Sequence, residues 1–147
     1  MFNEKLMNEK ISGWLGKHGG SFQITNEEGH TAAVDFEAMG MNLYGAEAIL
    51  RSSGQEYDPL VVLSPWYKVT RIIVHPSMRR KQYARRLMHV LSTTADTKGF
   101  NLYCEADPYA GTIPMRPLKR FFESNGFKKV PKSSRVMLRL AKSAPRG

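Results

Sequence analysis

The sequence predicts an α+β domain built on a central, mixed and twisted sheet of about six to seven strands flanked by helices. Three observations predict it. Residues 69–99 read as strand, cationic turn and helix: the β-branched run Ile72-Ile73-Val74 stops at Pro76, arginines and a lysine follow, and apolar residues recur at Ala84, Leu87, Met88, Leu91 and Ala95 with helical spacing. Residues 100–106 form a further strand, and two strands joined by one crossover helix lie parallel with a right-handed connection. Short strand-like runs earlier and later in the chain are joined by turn sequences, Asn26-Glu27-Glu28-Gly29 and Pro131-Lys132-Ser133-Ser134, which makes them antiparallel hairpins.

In chain order, residues 3–17 are expected to form a helix. Asn3 can cap it, Leu6, Met7, Ile11, Trp14 and Leu15 keep one face largely apolar, and Gly16, Gly19 and Gly20 end it. Strands are expected at 21–25 and 30–36, the second alternating Ala32, Val34 and Phe36 against Thr31, Ala33 and Asp35. Asn42 caps a short helix holding Leu43, Ala46, Ile49 and Leu50, a loop covers 51–59, and residues 60–63 are a candidate strand bounded by Pro65. The central strand runs over 66–75. After the loop 107–114, residues 115–125 are a helix with Leu118, Phe121 and Phe122 inward and Gly126 as its stop, and 126–130 with 135–140 make a final hairpin. No repeat or linker divides the chain, so residues 1–141 are read as one domain and 142–147 as a basic flexible tail.

A chain of 147 residues with 41% hydrophobic and 24% charged residues suits one soluble globular domain. Its longest apolar run, 60–63, is far too short to span a membrane, and Glu4, Lys5, Glu9 and Lys10 do not read as a signal peptide. One cysteine, Cys104, allows no internal disulfide, so a cytoplasmic location is expected and the thiol reads as a small buried hydrophobe. His18, His30 and His89 show no ligand spacing, His75 before Pro76 reads as a loop residue, and no metal site is expected. The net charge of +9, from 22 Lys+Arg against 13 Asp+Glu, favours anionic partners: a nucleotide cofactor, an acidic protein or a nucleic acid. Within 69–99, cations precede a helix N-terminus whose free N–H groups and dipole attract a phosphate.

That stretch also resembles the acetyl-CoA signature of the GNAT superfamily of N-acetyltransferases, a strand ending in Val-x-Pro followed by Arg/Gln-x-x-Gly-x-Gly/Ala leading into a helix. Here Val74-His75-Pro76 precedes Arg79-Arg80-Lys81-Gln82-Tyr83-Ala84. Arg120-Phe121-Phe122-Glu123-Ser124-Asn125-Gly126-Phe127 resembles the family's late Phe-Tyr-Glu-x-x-Gly-Phe motif, and Leu102-Tyr103-Cys104-Glu105-Ala106 its intervening strand. The resemblance covers about half the chain, 66–140. It implies the three-layer α/β GNAT fold and acetyl-CoA as cofactor, held by Ile72, Ile73, Val74, Arg79, Arg80, Lys81, Gln82, Tyr83, Ala84 and Arg85. It also implies acetyl transfer to a primary amine. A protein lysine or N-terminus is the first acceptor and a small-molecule amine the second; tRNA or an acidic protein is a candidate partner, a homodimer a candidate assembly, and no membrane is involved.

In the family a Glu at the strand's end often acts as base, which points to Glu105, with Asp107 behind it. The family's tyrosine, which reprotonates the leaving thiolate, is replaced by Phe122, which has no proton to give. Tyr109 is the substitute candidate, ahead of Ser124 and Tyr103. Backbone N–H groups near Ile73 and Val74 are the expected carbonyl polarisers, where GNATs splay the central strand from its parallel neighbour. Gln82 stands where the family has glycine, so an ordinary backbone conformation, or a pyrophosphate held slightly further out, is expected there. Trp14 and Trp66 read as core or pocket wall. Gln82 and Phe122 also motivate a second reading, a catalytically degenerate GNAT-fold module that binds an acidic protein or nucleic acid.

Overall fold

The computed structural model describes residues 9–78, 82–105, 115–131, 133 and 135–141, with backbone alone for 115–118. The expectations for the first residues of the 3–17 helix, for Arg79, Arg80 and Lys81, for the 107–114 loop, for Leu118 and for the 142–147 tail lie outside them. Strands β1 (Lys10–Gly16), β2 (Gly19–Thr25) and β3 (Thr31–Ala38) come first, then helix α1 (Leu43–Ser52) and a 3₁₀ turn at Pro59–Leu63. Strand β4 (Trp66–Val74), a second 3₁₀ turn at Pro76–Met78, helix α2 (Tyr83–Lys98) and β5 (Asn101–Glu105) follow. Helix α3 (Met115–Ser124), β6 (Lys128–Lys129) and β7 (Val136–Arg139) complete the chain. The seven strands make one sheet in the order β1-β2-β3-β4-β5-β7-β6.

Neighbouring strands are antiparallel except at the centre, where β4 and β5 run parallel as the crossover requires. That parallel pairing joins only Trp66–Lys68 to Asn101–Tyr103; beyond it the strands diverge. One sheet face carries Ile24, Val34, Phe36 and Val69, and α2 covers it with the predicted stripe of Leu87, Met88, Leu91 and Ala95, joined by Phe122 and Phe127. The other face carries Trp66 and Leu138 under Ala46 and Leu50 of α1 and Val61 of the first 3₁₀ turn. Helices on both sides of a mixed sheet make three layers. At the far end of α2, both oxygens of Asp96 accept from the Arg139 guanidinium at 2.9 Å, tying the helix to β7.

The Asn42 cap forms as expected, its side chain accepting from the Gly45 N–H at 2.8 Å. Two expectations are overturned. Residues 10–16 are a strand, part of a hairpin whose turn is Lys17-His18. The apolar spacing there looked helical, but Gly13 lies against the Phe22 ring, where a Cβ would sit 2.2 Å from Cδ1, and glycines favour neither face of a helix. Residues 60–63 belong to the 3₁₀ turn because Asp58 caps it, accepting from the Leu60 N–H at 2.9 Å, and Pro59 presets its first φ.

One irregularity shapes the sheet. Asp35 pairs with Arg71 but Phe36 pairs with Val69, so Thr70 is an extra residue, a β-bulge, and its hydroxyl donates to the Asp35 carbonyl at 3.2 Å. The bulge resets the alternation of β4, turning Arg71 and Ile73 onto the face that Lys68 already occupies.

Candidate functional site at the divergence of β4 and β5

The site begins with the opening left where β4 and β5 part. On the α2 side it leads to the helix N-terminus. The first intrahelical bond is Arg86 N–H to the Gln82 carbonyl at 3.0 Å, so the N–H groups of Tyr83, Ala84 and Arg85 precede the ladder. Gln82 makes no side-chain cap and sits at φ 63°, ψ 21°. It is the one non-glycine residue with positive φ among those described. The expectation of an ordinary conformation at Gln82 is therefore corrected: the backbone keeps the left-handed geometry that glycine adopts freely, and glutamine tolerates it. That geometry costs an L-residue about 1–2 kcal/mol, against roughly 0.5–1 kcal/mol for glycine's extra chain entropy. Gln82→Gly is expected to raise stability by about 0.5–1 kcal/mol, read as a higher urea midpoint with unchanged slope.

The helix start is anchored from the residue just before β1. Glu9 accepts from the Tyr83 hydroxyl at 3.1 Å and pairs with Arg86 at 2.8 Å. Burial, then the Glu9 carboxylate, raises the Tyr83 pKa, so its hydroxyl stays protonated. Beside it lies an open cleft of about 730 Å³, with Ile11, Ile24 and Val90 as apolar walls and Arg85, Arg86 and His89 as basic ones. Of the residues expected at the cofactor, Ile72, Val74 and Ala84 are half-buried, Tyr83 is buried, and Ile73, Gln82 and Arg85 are exposed, Ile73 on the opposite sheet face.

That opposite face holds the charged groups. Glu105, the last residue of β5, is flanked on its own face by Tyr103 and by Lys68 from β4. The Tyr103 hydroxyl donates to Glu105 Oε1 at 3.3 Å, Lys68 Nζ lies 3.7 Å from the same oxygen, and Lys68 also stands 5.9 Å over the Tyr103 ring. Burial first, then Glu105, raises the Tyr103 pKa, so the phenol carries its proton at neutral pH. In register across the sheet lie Trp14, Ser21, Asp35 and Arg71. Ser21 donates to Asp35 Oδ1 at 2.7 Å, and Arg71 Nε is 3.5 Å from Oδ2. Trp14 is neither core nor closed pocket wall but an exposed indole, whereas Trp66 is buried.

Lys68, Asp35 and Arg71 were not singled out from sequence. The alternation of β3 does put Asp35 on its polar face, but uniting it with Arg71 needs the register and the bulge. Asp107 and Tyr109 lie outside the described residues. Phe122 is 4% exposed, wedged against Phe121 and Phe127. Burial, with Glu105 next to it in sequence, raises the Cys104 pKa, which leaves an unreactive thiol in the core. His75, read as a loop residue, stacks on His30 at 3.8 Å, and both Nδ1 atoms lie 2.7 Å from the Ser77 hydroxyl. Among the described residues no group of three or more His, Cys, Asp or Glu is arranged to hold a metal, and no helix is long and apolar enough to cross a membrane.

Among solved structures, the chain is similar to the ribosomal-protein-S18-alanine N-acetyltransferase from Escherichia coli, with a TM-score of 0.57 at 14% identity over 90% of this chain and 75% of that one. It is also similar to AtaTR bound with AcCoA, at 0.52 and 13% over 87% and 71% of the two chains. The KacTA–DNA complex gives 0.52 and 15% over 88% and 72%. At such identities the likeness is one of fold. No curated protein matches the chain in sequence. The family model described as the acetyltransferase (GNAT) domain matches residues 24–129, from β2 to β6 and more than half of the chain. With that match and the divergent β4/β5 pair, the chain belongs to the GNAT acetyltransferase family.

Proposed function

We propose that the protein transfers an acetyl group from acetyl-CoA to a primary amine, a lysine or N-terminal amine of a protein, with Glu105 as the base. The observation that carries this reading is the placement of the Glu105 carboxylate at the opening between β4 and β5, on the sheet face away from the α2 N-terminus. Donor and acceptor then approach from opposite sides of one opening.

The α2 N-terminus fits the diphosphate of the cofactor: its first amides precede the helical ladder, Gln82 keeps the glycine-like turn, and Arg85 is exposed beside it. Arg79, Arg80 and Lys81 add charge in the adjoining sequence, the backbone of Ile72, Ile73 and Val74 lines the way in, and the cleft bounded by Arg85, Arg86 and His89 suits the nucleotide end. Bound there, acetyl-CoA supplies an activated acetyl thioester. The protein's part is to hold protons. A lysine amine has a pKa of about 10.4, so it must lose a proton before it can attack. Glu105 takes that proton on Oε2 while Tyr103 and Lys68 hold Oε1. Tyr103 bears a proton close by and is the acid that this arrangement favours over Tyr109, with Asp107 as the reserve base. A single buried thiol suits a reducing compartment, the cytoplasm.

The buried Phe122 favours the second reading, a fold that binds a partner without catalysis, because the family's usual acid is lost. One experiment separates the two. Arg80→Glu with Arg85→Glu is expected to weaken CoA binding by about a hundredfold in calorimetry, since two cations become two anions at a phosphate site. Tight CoA binding that the double variant leaves unchanged refutes the site; a wild-type protein that binds no CoA refutes the enzyme.

A further inference from the structure

Two histidines distant in sequence meet where β3 begins and β4 ends. Each is placed by its backbone. Asn26 shapes the β2–β3 turn, its side chain accepting from the N–H groups of Glu28 and His30 at 3.0 Å. The His75 N–H donates to the Thr31 carbonyl at 3.1 Å, which carries the β3–β4 pairing one residue past Val74. The rings then stack with centroids 3.8 Å apart and planes 6° from parallel. Ser77, in the second 3₁₀ turn, closes the group. Its hydroxyl lies 2.7 Å from both Nδ1 atoms, and its N–H donates to His75 Nδ1 at 3.1 Å. The Met78 N–H donates to the His75 carbonyl at 2.8 Å, and the Met78 side chain is buried in the core. From the β2–β3 turn, Glu28 Oε2 faces His30 Nδ1 at 3.5 Å. Arg79, Arg80 and Lys81 come next in sequence, and then Gln82 at the start of α2.

These contacts fix the protons. A neutral imidazole has one N–H and one lone pair on its two nitrogens, and a hydroxyl has one proton to give. The Ser77 amide only donates, so His75 Nδ1 is the acceptor and the ring's proton sits on Nε2. The Ser77 hydroxyl donates to the same nitrogen; were it turned to His30, two lone pairs would face each other at 2.7 Å. Its oxygen is left to accept, so His30 carries its proton on Nδ1, toward Ser77 and Glu28. The rings therefore answer acid differently. His30 gains a proton on Nε2 and keeps all of these bonds. His75 gains one only on Nδ1, where it displaces both donors of Ser77 and sets a second cation against the first. We propose that the pair is a proton-operated latch on the turn leading to the α2 N-terminus, closed while His75 is neutral and opened when acid charges it. Histidine is the side chain whose charge ordinarily changes between about pH 5 and 8. With the latch open, residues 79–82 lose the fixed end from which they approach the helix, and CoA affinity falls. The direction is diagnostic, because new positive charge beside a phosphate site would by itself strengthen binding. The coupling to CoA rests on the transferase reading of the α2 N-terminus; the latch does not.

The test uses the full chain. At about pH 7.5, nitrogen NMR of histidine-labelled protein is expected to show His75 as the Nε2–H tautomer and His30 as the Nδ1–H tautomer. A neutral His75 with its proton on Nδ1 overturns the latch. Calorimetry with dephospho-CoA is expected to give an affinity about tenfold lower at about pH 5.5 than at about pH 7.5. That probe lacks the phosphate monoester, which itself titrates near pH ~6. His75→Asn is expected to hold the fall within about twofold, because the asparagine Oδ1 accepts the same Ser77 N–H and takes up no proton. Ser77→Ala, the second variant should the first fail to fold, is expected to begin the fall at higher pH, since His75 then has one donor fewer to displace. An equal fall in wild type and His75→Asn, a fall that Ser77→Ala leaves in place, or an affinity that rises with acid overturns the latch. A protein that binds neither CoA nor dephospho-CoA at any pH overturns the transferase reading and the coupling. The backbone amide signals of Ser77 and Met78 then judge the latch alone: it moves them over this pH range in wild type and not in His75→Asn, and signals that stay put in wild type overturn it.

Discussion

Glu105→Gln is expected to lower kcat by about 10²–10³-fold while CoA affinity stays within about twofold. Glutamine keeps the shape and can still accept from Tyr103, but it takes no proton from an ammonium. The loss depends on pH in a defined direction. At pH 7 only about one lysine side chain in 10³ is neutral. The wild-type protein offsets that scarcity by removing the proton within the complex; the variant must wait for an amine that has already lost it. Its rate therefore climbs about tenfold per pH unit toward the amine's own pKa, and the gap to wild type narrows as pH rises. Tyr103 does not blur the comparison, because burial, the largest cause, raises its pKa above the usual tyrosine value with or without the carboxylate, so the phenol stays neutral across the range. Steady-state kinetics from pH 6.5 to about 9.5 measure it. A constant ratio between wild type and variant across that range would remove Glu105 from the base role.

Asp96→Ala is the substitution expected to cost most stability, about 3–5 kcal/mol of a total that for such a domain is roughly 5–15 kcal/mol. Arg139 is 8% exposed, and both its terminal nitrogens donate to Asp96. Removing the carboxylate leaves a guanidinium held between α2 and β7 with its charge uncompensated. There is little room for it to escape: Gly126 presses so near that a Cβ there would lie 3.1 Å from the arginine Nε. Pairing the change with Arg139→Met is expected to restore most of the loss, since an apolar side chain of similar length asks for no partner. Urea unfolding of the two variants beside wild type measures both effects.

Much of the fold was legible because local signals agreed with the final packing. The stripe on α2, the alternation of β3 and the Asn42 cap each depend on residues within one element. The parallel β4–β5 pair followed from a single crossover helix. Residues 10–16 misled because Ile11, Trp14 and Leu15 satisfy a helical period as readily as a strand with two glycines in it, and only the partner strand decides. Residues 60–63 misled because an apolar tetrapeptide has no period, and Asp58 with Pro59 was the better guide. At the candidate site, the motif residues around Gln82 were legible as a local pattern, whereas its backbone conformation was not, since side-chain identity argued against what the turn requires. The row from Trp14 through Ser21 and Asp35 to Arg71 was invisible for another reason: its members lie on four strands, and their alignment depends on one inserted residue, Thr70, that no pattern announces.

The brief union of β4 with β5 has a consequence for how such a protein can change. Side chains alternate along β4, so neighbouring positions answer to different masters: Ile72 and Val74 to the helix layer, Arg71 and Ile73 to the open side. Among the described residues the ladder between β4 and β5 stops at Lys68, and what β4 offers there through its backbone does not depend on which side chains it carries. A lineage can therefore redraw one side of this ribbon to suit a new target and leave the grip on the other untouched, because the two are written in alternate letters of the same word.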